Sequence, residues 1–133
     1  MIPTTAYAWA FALLGTFAML FQVALALGAP WGELTLGGRH RGALPGAWRL
    51  VPVFSGMLLA GFIGIVLARA GVLPPGLLPA GIASLVPTLT WVVVGYNALG
   101  CVVNTITPSA RERRLWVPVL VLMLASSTVV ALS

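Results

Sequence analysis

The chain has 133 residues, of which 60% are hydrophobic and only 7% are charged, and its mean hydropathy is +1.08. Soluble domains carry about 25% charged residues, so this composition excludes a globular protein whose whole surface faces water. The net charge of +5 does not indicate nucleic-acid binding, because the arginines stand in short segments between apolar runs. A membrane with anionic headgroups is the expected partner.

Four apolar runs follow one another along the chain, at about 5–27, 50–70, 82–106 and 115–132. Each has about 20 residues, which as an α-helix crosses a hydrocarbon core of about 30 Å. Lipid offers no water to backbone groups, so continuous runs of this kind are expected to be helical. The sequence therefore predicts an all-α polytopic membrane protein, with residues 1–133 forming one up-down bundle of four transmembrane helices.

The arginines predict how this bundle is oriented. The two loops at 28–49 and 107–114 contain six of the seven: Arg39, Arg41, Arg49, Arg111, Arg113 and Arg114. The remaining connection carries only Arg69, followed by a stiff turn at 73–76 that includes Pro74 and Pro75. By the positive-inside rule both arginine-rich loops are cytoplasmic and both termini are outside.

Small residues recur at every fourth position of the second run, at Gly56, Ala60, Gly64 and Ala68. Such a ridge allows close approach of another helix. It is expected to face either the interior of the bundle or a second copy of the chain.

Polar residues interrupt the apolar runs and form a candidate lining for a solute or water path: Gln22, Thr88, Asn97 and Asn104. The alternative interpretation is that their side chains form hydrogen bonds between helices, with a kink at Pro87. The single cysteine, Cys101, lies in an apolar run, where we interpret it as a packing residue.

The loop between the first two runs is unusually rich in residues that specify backbone geometry. These loop-specifying residues are Gly28, Pro30, Trp31, Gly32, Glu33, Gly37, Gly38 and Pro45. A tight hairpin at Gly37 and Gly38 is predicted, in which Glu33 would reach Arg39 or Arg41.

Basic residues of the two loops form a candidate site for phosphate or anionic lipid headgroups: Arg39, His40, Arg41, Arg49, Arg111, Arg113 and Arg114. His40 and Glu33 would be acid–base partners in an enzyme working there. The alternative is an interfacial cap in which acids neutralise arginines and the rest set topology. No catalytic motif is recognised, and no cofactor or metal site is expected from one histidine, one cysteine and two acids.

Two blocks of the sequence resemble a group of small four-helix bacterial membrane proteins. The first block consists of 28–33, Gly37-Gly38, 40–42 and Leu44-Pro45, and the second of Asn104, Ser109, Glu112, Arg113, Trp116 and Pro118. The resemblance implies the four-helix architecture and the bacterial inner membrane. The resemblance implies no activity, because no activity is assigned to this group of proteins.

Three functions are compatible with these features. The first is a non-catalytic accessory or oligomeric membrane subunit, acting through a homo-oligomer or a partner subunit. The second is a small-solute transporter or channel that works as an oligomer. The third is a protein that binds lipid headgroups, or an enzyme that acts on them, at the cytoplasmic surface.

Overall fold

The structure, a computed structural model, describes residues 1–74 and 76–133. These residues contain four long helices, a one-turn helix and no strand. The helices are α1 (Thr4–Ala26), α2 (Leu50–Arg69), α3 (Ala80–Ala83), α4 (Val86–Ile106) and α5 (Ala110–Leu132). The four long helices have the length and apolar composition that a membrane span needs, so the predicted all-α four-helix architecture is confirmed.

The third predicted run is divided into two helices. Its start belongs to α3, and α4 begins only at Val86, with Pro87 in its first turn. Proline suits that position because the first backbone N–H groups of a helix have no helical partner. Pro87 therefore begins α4 and does not kink a longer helix, which corrects the kink included in the alternative interpretation of the polar residues. Pro75, in the predicted turn at 73–76, lies outside the described residues.

The helices pack so that α1 lies between α2 and α5, and α5 also packs along α4. At the end of the bundle near the termini, a core of buried residues joins all four long helices: Ala8, Phe11, Phe62, Val66, Val93, Met123 and Val130. α1 approaches its neighbours closely at Gly15, where an added Cβ would lie 3.0 Å from Cγ1 of Ile63. By contrast, α2 and α4 contact each other much less.

The small-residue ridge of α2 faces the bundle only in part. Gly56 is buried, and a Cβ built on it would lie 3.6 Å from Cβ of Gln22. Ala60 is exposed, and a Cβ built on Gly64 has no atom within 4 Å in the described part of the chain. The ridge drifts off the buried face of α2, which includes Pro52 and Val66, so Gly56 is buried, Gly64 and Ala68 are half-buried, and Ala60 is exposed.

The first loop contains three 3-10 turns and not the predicted hairpin: Gly32–Leu34, Leu36–Gly38 and Gly46–Arg49. Three successive residues at 36–38 have positive φ, at 52°, 71° and 75°. Thr35 before them is extended, whereas Arg39 after them is in the right-handed helical region. The chain therefore curls back on itself, and no pair of strands leaves the turn.

This loop packs onto the bundle through its apolar residues. Leu44 is fully buried in a second core, together with Ala18, Phe21, Leu25 and Trp116. Leu34 and Leu36 pack against the same core. Burial of these side chains holds the loop as a cap over the ends of α1 and α5.

Candidate functional site

The site is built on the first turn of α5, which begins at Ala110, whereas the sequence analysis began the fourth helix at 115. Ser109 caps the helix, and its Oγ accepts a hydrogen bond of 3.2 Å from the backbone N–H of Glu112. Ser-x-x-Glu before an apolar run is a capping-box signature, and it is the signal that the sequence analysis missed. As a result Arg111, Arg113 and Arg114 lie on a helix and not in a loop.

Glu112 does not complete the capping box and instead holds the loop. In a capping box this side chain would accept from the backbone N–H of the cap residue. Here its Oε2 accepts from the backbone N–H of Gly37 at 3.0 Å and from the Thr107 hydroxyl at 2.8 Å. The residue is only 8% exposed, so a carboxylate is buried where the loop meets α5.

Two further side chains bind the loop to this end of α5. The Ser109 hydroxyl donates to the carbonyl of Glu33 at 2.8 Å, and Nε1 of Trp116 donates to the carbonyl of Leu34 at 2.9 Å. We call Ser109, Glu112 and Trp116 the loop clamp. All three clamp residues, together with Glu33 and Gly37 of the loop, belong to the two sequence blocks quoted in the sequence analysis.

Aromatic rings extend this packing to α1. Phe21 lies edge-on to Trp116 at a centroid distance of 4.8 Å and is stacked on Trp31 at 5.9 Å. Phe21 thus joins a clamp residue to the loop, which gives the predicted loop residue Trp31 a packing role.

Two of the loop glycines are required by close approach. A Cβ on Gly32 would lie 2.3 Å from the carbonyl oxygen of His40 and 2.6 Å from that of Gly42. A Cβ on Gly38 would lie 3.0 Å from Cβ of Ser109, and its φ of 75° also favours glycine. The clustering of glycines in the sequence therefore reflects contacts within the loop and with the clamp.

The basic residues do not converge on one point. Arg111 pairs with Glu33 at 3.1 Å on the surface, which corrects the predicted pairing of Glu33 with Arg39 or Arg41. Two other guanidinium groups bind backbone: Arg113 donates to the carbonyl of Thr107, and Arg49 donates to that of Leu44.

The remaining basic side chains of this end are less constrained. Arg39, Arg41 and Arg114 are exposed and have no hydrogen-bond or ion-pair partner among residues 1–74 and 76–133. The His40 ring lies 5.4 Å from that of Trp48, at the surface of the loop.

A cleft lies beneath the loop, between α2 and α4, which contact each other little. It has a volume of about 300 Å³ and is lined by residues of all four long helices. A second cavity of about 490 Å³ adjoins it under the loop and shares part of its lining. The residues common to both are Gln22, Thr35, Ser55, Val103 and Glu112.

The structure brings together two of the four residues proposed as a polar lining. Gln22 and Asn104 both line the cleft. Asn97 is buried and donates to the carbonyl of Val93 on its own helix at 3.0 Å, while Thr88 is exposed near the other end of α4. Sequence reasoning missed Ser55 and Glu112 as lining residues, because neither stands out in its apolar run or arginine cluster.

Comparison with known protein families, with curated proteins and with solved structures gives no match to this chain. The four apolar helices indicate a multi-pass membrane protein. Its chemistry must therefore be inferred from the cleft, the clamp and the loop alone.

Proposed function

We propose that this chain is a non-catalytic membrane protein that binds an amphiphilic lipid in the cleft between α2 and α4. The observation that carries the proposal is the cleft itself, which has apolar walls and a few polar groups at one end. Ligand sites in proteins have this character, with most of the surface apolar and a few polar groups that fix orientation. Leu59, Leu99 and Val119 are among the apolar lining residues.

The closed far end of the cleft favours binding over conduction. Met123 lines the cleft and also belongs to the core that fills the bundle near the termini. Phe11, Val66 and Val93 of that core are almost completely buried. A molecule that enters between α2 and α4 therefore reaches a blind pocket, which suits retention of an acyl chain better than passage of a solute.

The exposed arginines favour an anionic membrane surface as the partner of this protein. Arg39, Arg41 and Arg114 lie at the same end of the bundle as the cleft opening under the loop. Basic residues near a membrane surface attract anionic headgroups. We place this end at the cytoplasmic face of the bacterial inner membrane, and we retain a homo-oligomer or a partner membrane subunit as the form in which the protein acts.

Native mass spectrometry of the protein extracted with its own lipids tests the proposal. We expect the wild type to retain lipid and Ser55→Phe to lose it, because Ser55 lines both cavities and the larger ring would occupy the space where they adjoin. Ala60→Phe is the matched control, since Ala60 is exposed on the same helix and does not line the cleft. A wild type without lipid, or equal retention by both variants, would refute binding in the cleft.

A further inference from the structure

One oxygen of the buried carboxylate in the cleft has no partner. Oε2 of Glu112 accepts two hydrogen bonds, whereas Oε1 accepts none from residues 1–74 and 76–133. No fully buried side-chain oxygen or nitrogen in that part of the chain lacks a partner. Oε1 must therefore retain some accessible surface, and Glu112 lines both cavities. Since Glu112 lines the cleft, the accessible surface of this carboxylate is open to a ligand there.

We propose that the lipid bound in this cleft presents an ammonium group with N–H donors to Oε1 of Glu112. The inference rests on the lipid binding proposed above and specifies its headgroup chemistry. A primary ammonium has three donors and no acceptor, so it complements a site that offers acceptors.

The charges around Glu112 support a cationic ligand. No arginine lies within ion-pair distance of its carboxylate in the described part of the chain, although three arginines flank it in sequence. Arg111 pairs with Glu33, and Arg113 donates to the carbonyl of Thr107. A buried carboxylate without a cationic partner is unfavourable, and a ligand cation removes that penalty.

A second acceptor in the cleft strengthens the assignment. The amide Nδ2 of Asn104 donates to the carbonyl of Gly100 at 2.9 Å, which directs the amide group's donor to its own helix. Its Oδ1 receives no hydrogen bond from residues 1–74 and 76–133, and Asn104 lines the same cavity as Glu112. Two side chains with a free acceptor, one on α4 and one on α5, thus line one cavity, which is an arrangement that a multiple N–H donor satisfies.

The test compares lipids that differ only in their headgroup. Purified protein in detergent is titrated with phosphatidylethanolamine, phosphatidylcholine and phosphatidylglycerol with identical acyl chains, and bound lipid is counted by native mass spectrometry. Phosphatidylcholine is the decisive comparison, because its quaternary ammonium keeps the charge and has no N–H donor. We expect the wild type to prefer phosphatidylethanolamine by on the order of tenfold, as for one charge-assisted hydrogen bond.

Two matched variants assign that preference to one carboxylate. Glu112→Gln keeps an oxygen for Gly37 and Thr107 but directs an amide donor into the cleft, so we expect the preference to disappear. Glu33→Gln makes the same change in the other acid of the chain, which lies in a surface pair and does not line the cleft. We expect Glu33→Gln to keep the wild-type preference.

The outcomes separate this inference from the proposed function. Equal binding of all three lipids by the wild type, with loss of all three in Ser55→Phe, would overturn the ammonium assignment and leave lipid binding intact. A preference for phosphatidylethanolamine that survives in Glu112→Gln would also overturn it. No lipid binding by the wild type would refute the proposed function itself. Should Glu112→Gln fail to fold, the comparison of phosphatidylethanolamine with phosphatidylcholine in the wild type still tests the ammonium assignment. Equal binding of these two lipids would overturn it.

Discussion

At the scale of single residues, Gly32 is the position where the loop tolerates least change. Its backbone N–H donates to the carbonyl of Gly42 at 2.8 Å, and a Cβ there would lie 2.3 Å from the carbonyl oxygen of His40. We expect Gly32→Ala to lower the free energy of unfolding by about 1–3 kcal/mol, as overpacking does elsewhere, because the two segments must move apart. Thermal unfolding in detergent, followed by tryptophan fluorescence, measures this change.

Gly46→Ala provides the control for that measurement. Gly46 belongs to the same loop, yet a Cβ built on it has no atom of residues 1–74 or 76–133 within 4 Å, and its φ is not positive. We expect its stability to remain that of the wild type. An equal loss of stability in both variants would show that any glycine in the loop is equally important. The close contact of Gly32 with the carbonyl groups of His40 and Gly42 would then not be the cause.

Single residues also show why the site was only partly predictable. The glycine and proline pattern predicted a loop of defined geometry, and Gly32 and Gly38 have the close contacts that such a pattern implies. The partner of Glu33 was predicted wrongly because nearness in sequence favoured Arg39 and Arg41. The real partner, Arg111, reaches Glu33 from α5, and such a tertiary contact leaves no local signal in one sequence.

At the scale of elements, residues at the start of α5 both cap this helix and bind the loop. Ser109 accepts from the N–H of Glu112 and donates to the carbonyl of Glu33, so one hydroxyl serves both elements. We expect Ser109→Ala to weaken the cap by about 1 kcal/mol and to open the loop about fivefold more often. Limited trypsin digestion reads this out, because Arg39 and Arg41 are exposed cleavage sites in the loop.

Ser84→Ala is the matched substitution for the trypsin assay. The Ser84 hydroxyl donates to the carbonyl of Gly81, at the opposite end of the bundle. Its rate of loop cleavage should equal that of the wild type. Unchanged cleavage in Ser109→Ala would mean that the apolar contacts of Leu44 and Trp31 hold the loop without the clamp.

The elements divide into those that hydropathy located and those that it did not. α1 and α2 lie close to the predicted runs at 5–27 and 50–70, because both consist almost entirely of apolar residues. α5 extends to Ala110, beyond its predicted start, because hydropathy excludes the charged first turn that Ser109 caps. Local hydrogen-bond chemistry, and not hydrophobicity, determines where this helix begins.

At the scale of the whole molecule, the cleft could not be read from the sequence. Its shape depends on the sparse contact between α2 and α4 and on the loop that the clamp holds over it. The sequence predicts Gln22 and Asn104 as lining residues because amides are conspicuous in apolar runs. Ser55 and Glu112 face the same space only because four helices and a loop are assembled around it.

The assembled bundle also fixes which parts of the chain share a membrane face. With four antiparallel helices, the loop at 28–49 and the turn at 107–109 lie at one end, and the termini and α3 lie at the other. Six of the seven arginines are at the first end or in the first turn of α5. By the positive-inside rule we expect that end in the cytoplasm.

Cysteine labelling in whole cells tests this orientation in a Cys101→Ser background, which removes the natural thiol. Ala43 in the loop and Ala80 at the start of α3 are both exposed, so a cysteine at either position is accessible from one side. A membrane-impermeant maleimide should label Ala80→Cys in intact cells and Ala43→Cys only after permeabilisation. Equal labelling of both in detergent is the control for reactivity. The reverse pattern in intact cells would put the arginine-rich end outside, and the exposed arginines would then face the opposite leaflet from the one proposed for the bound lipid.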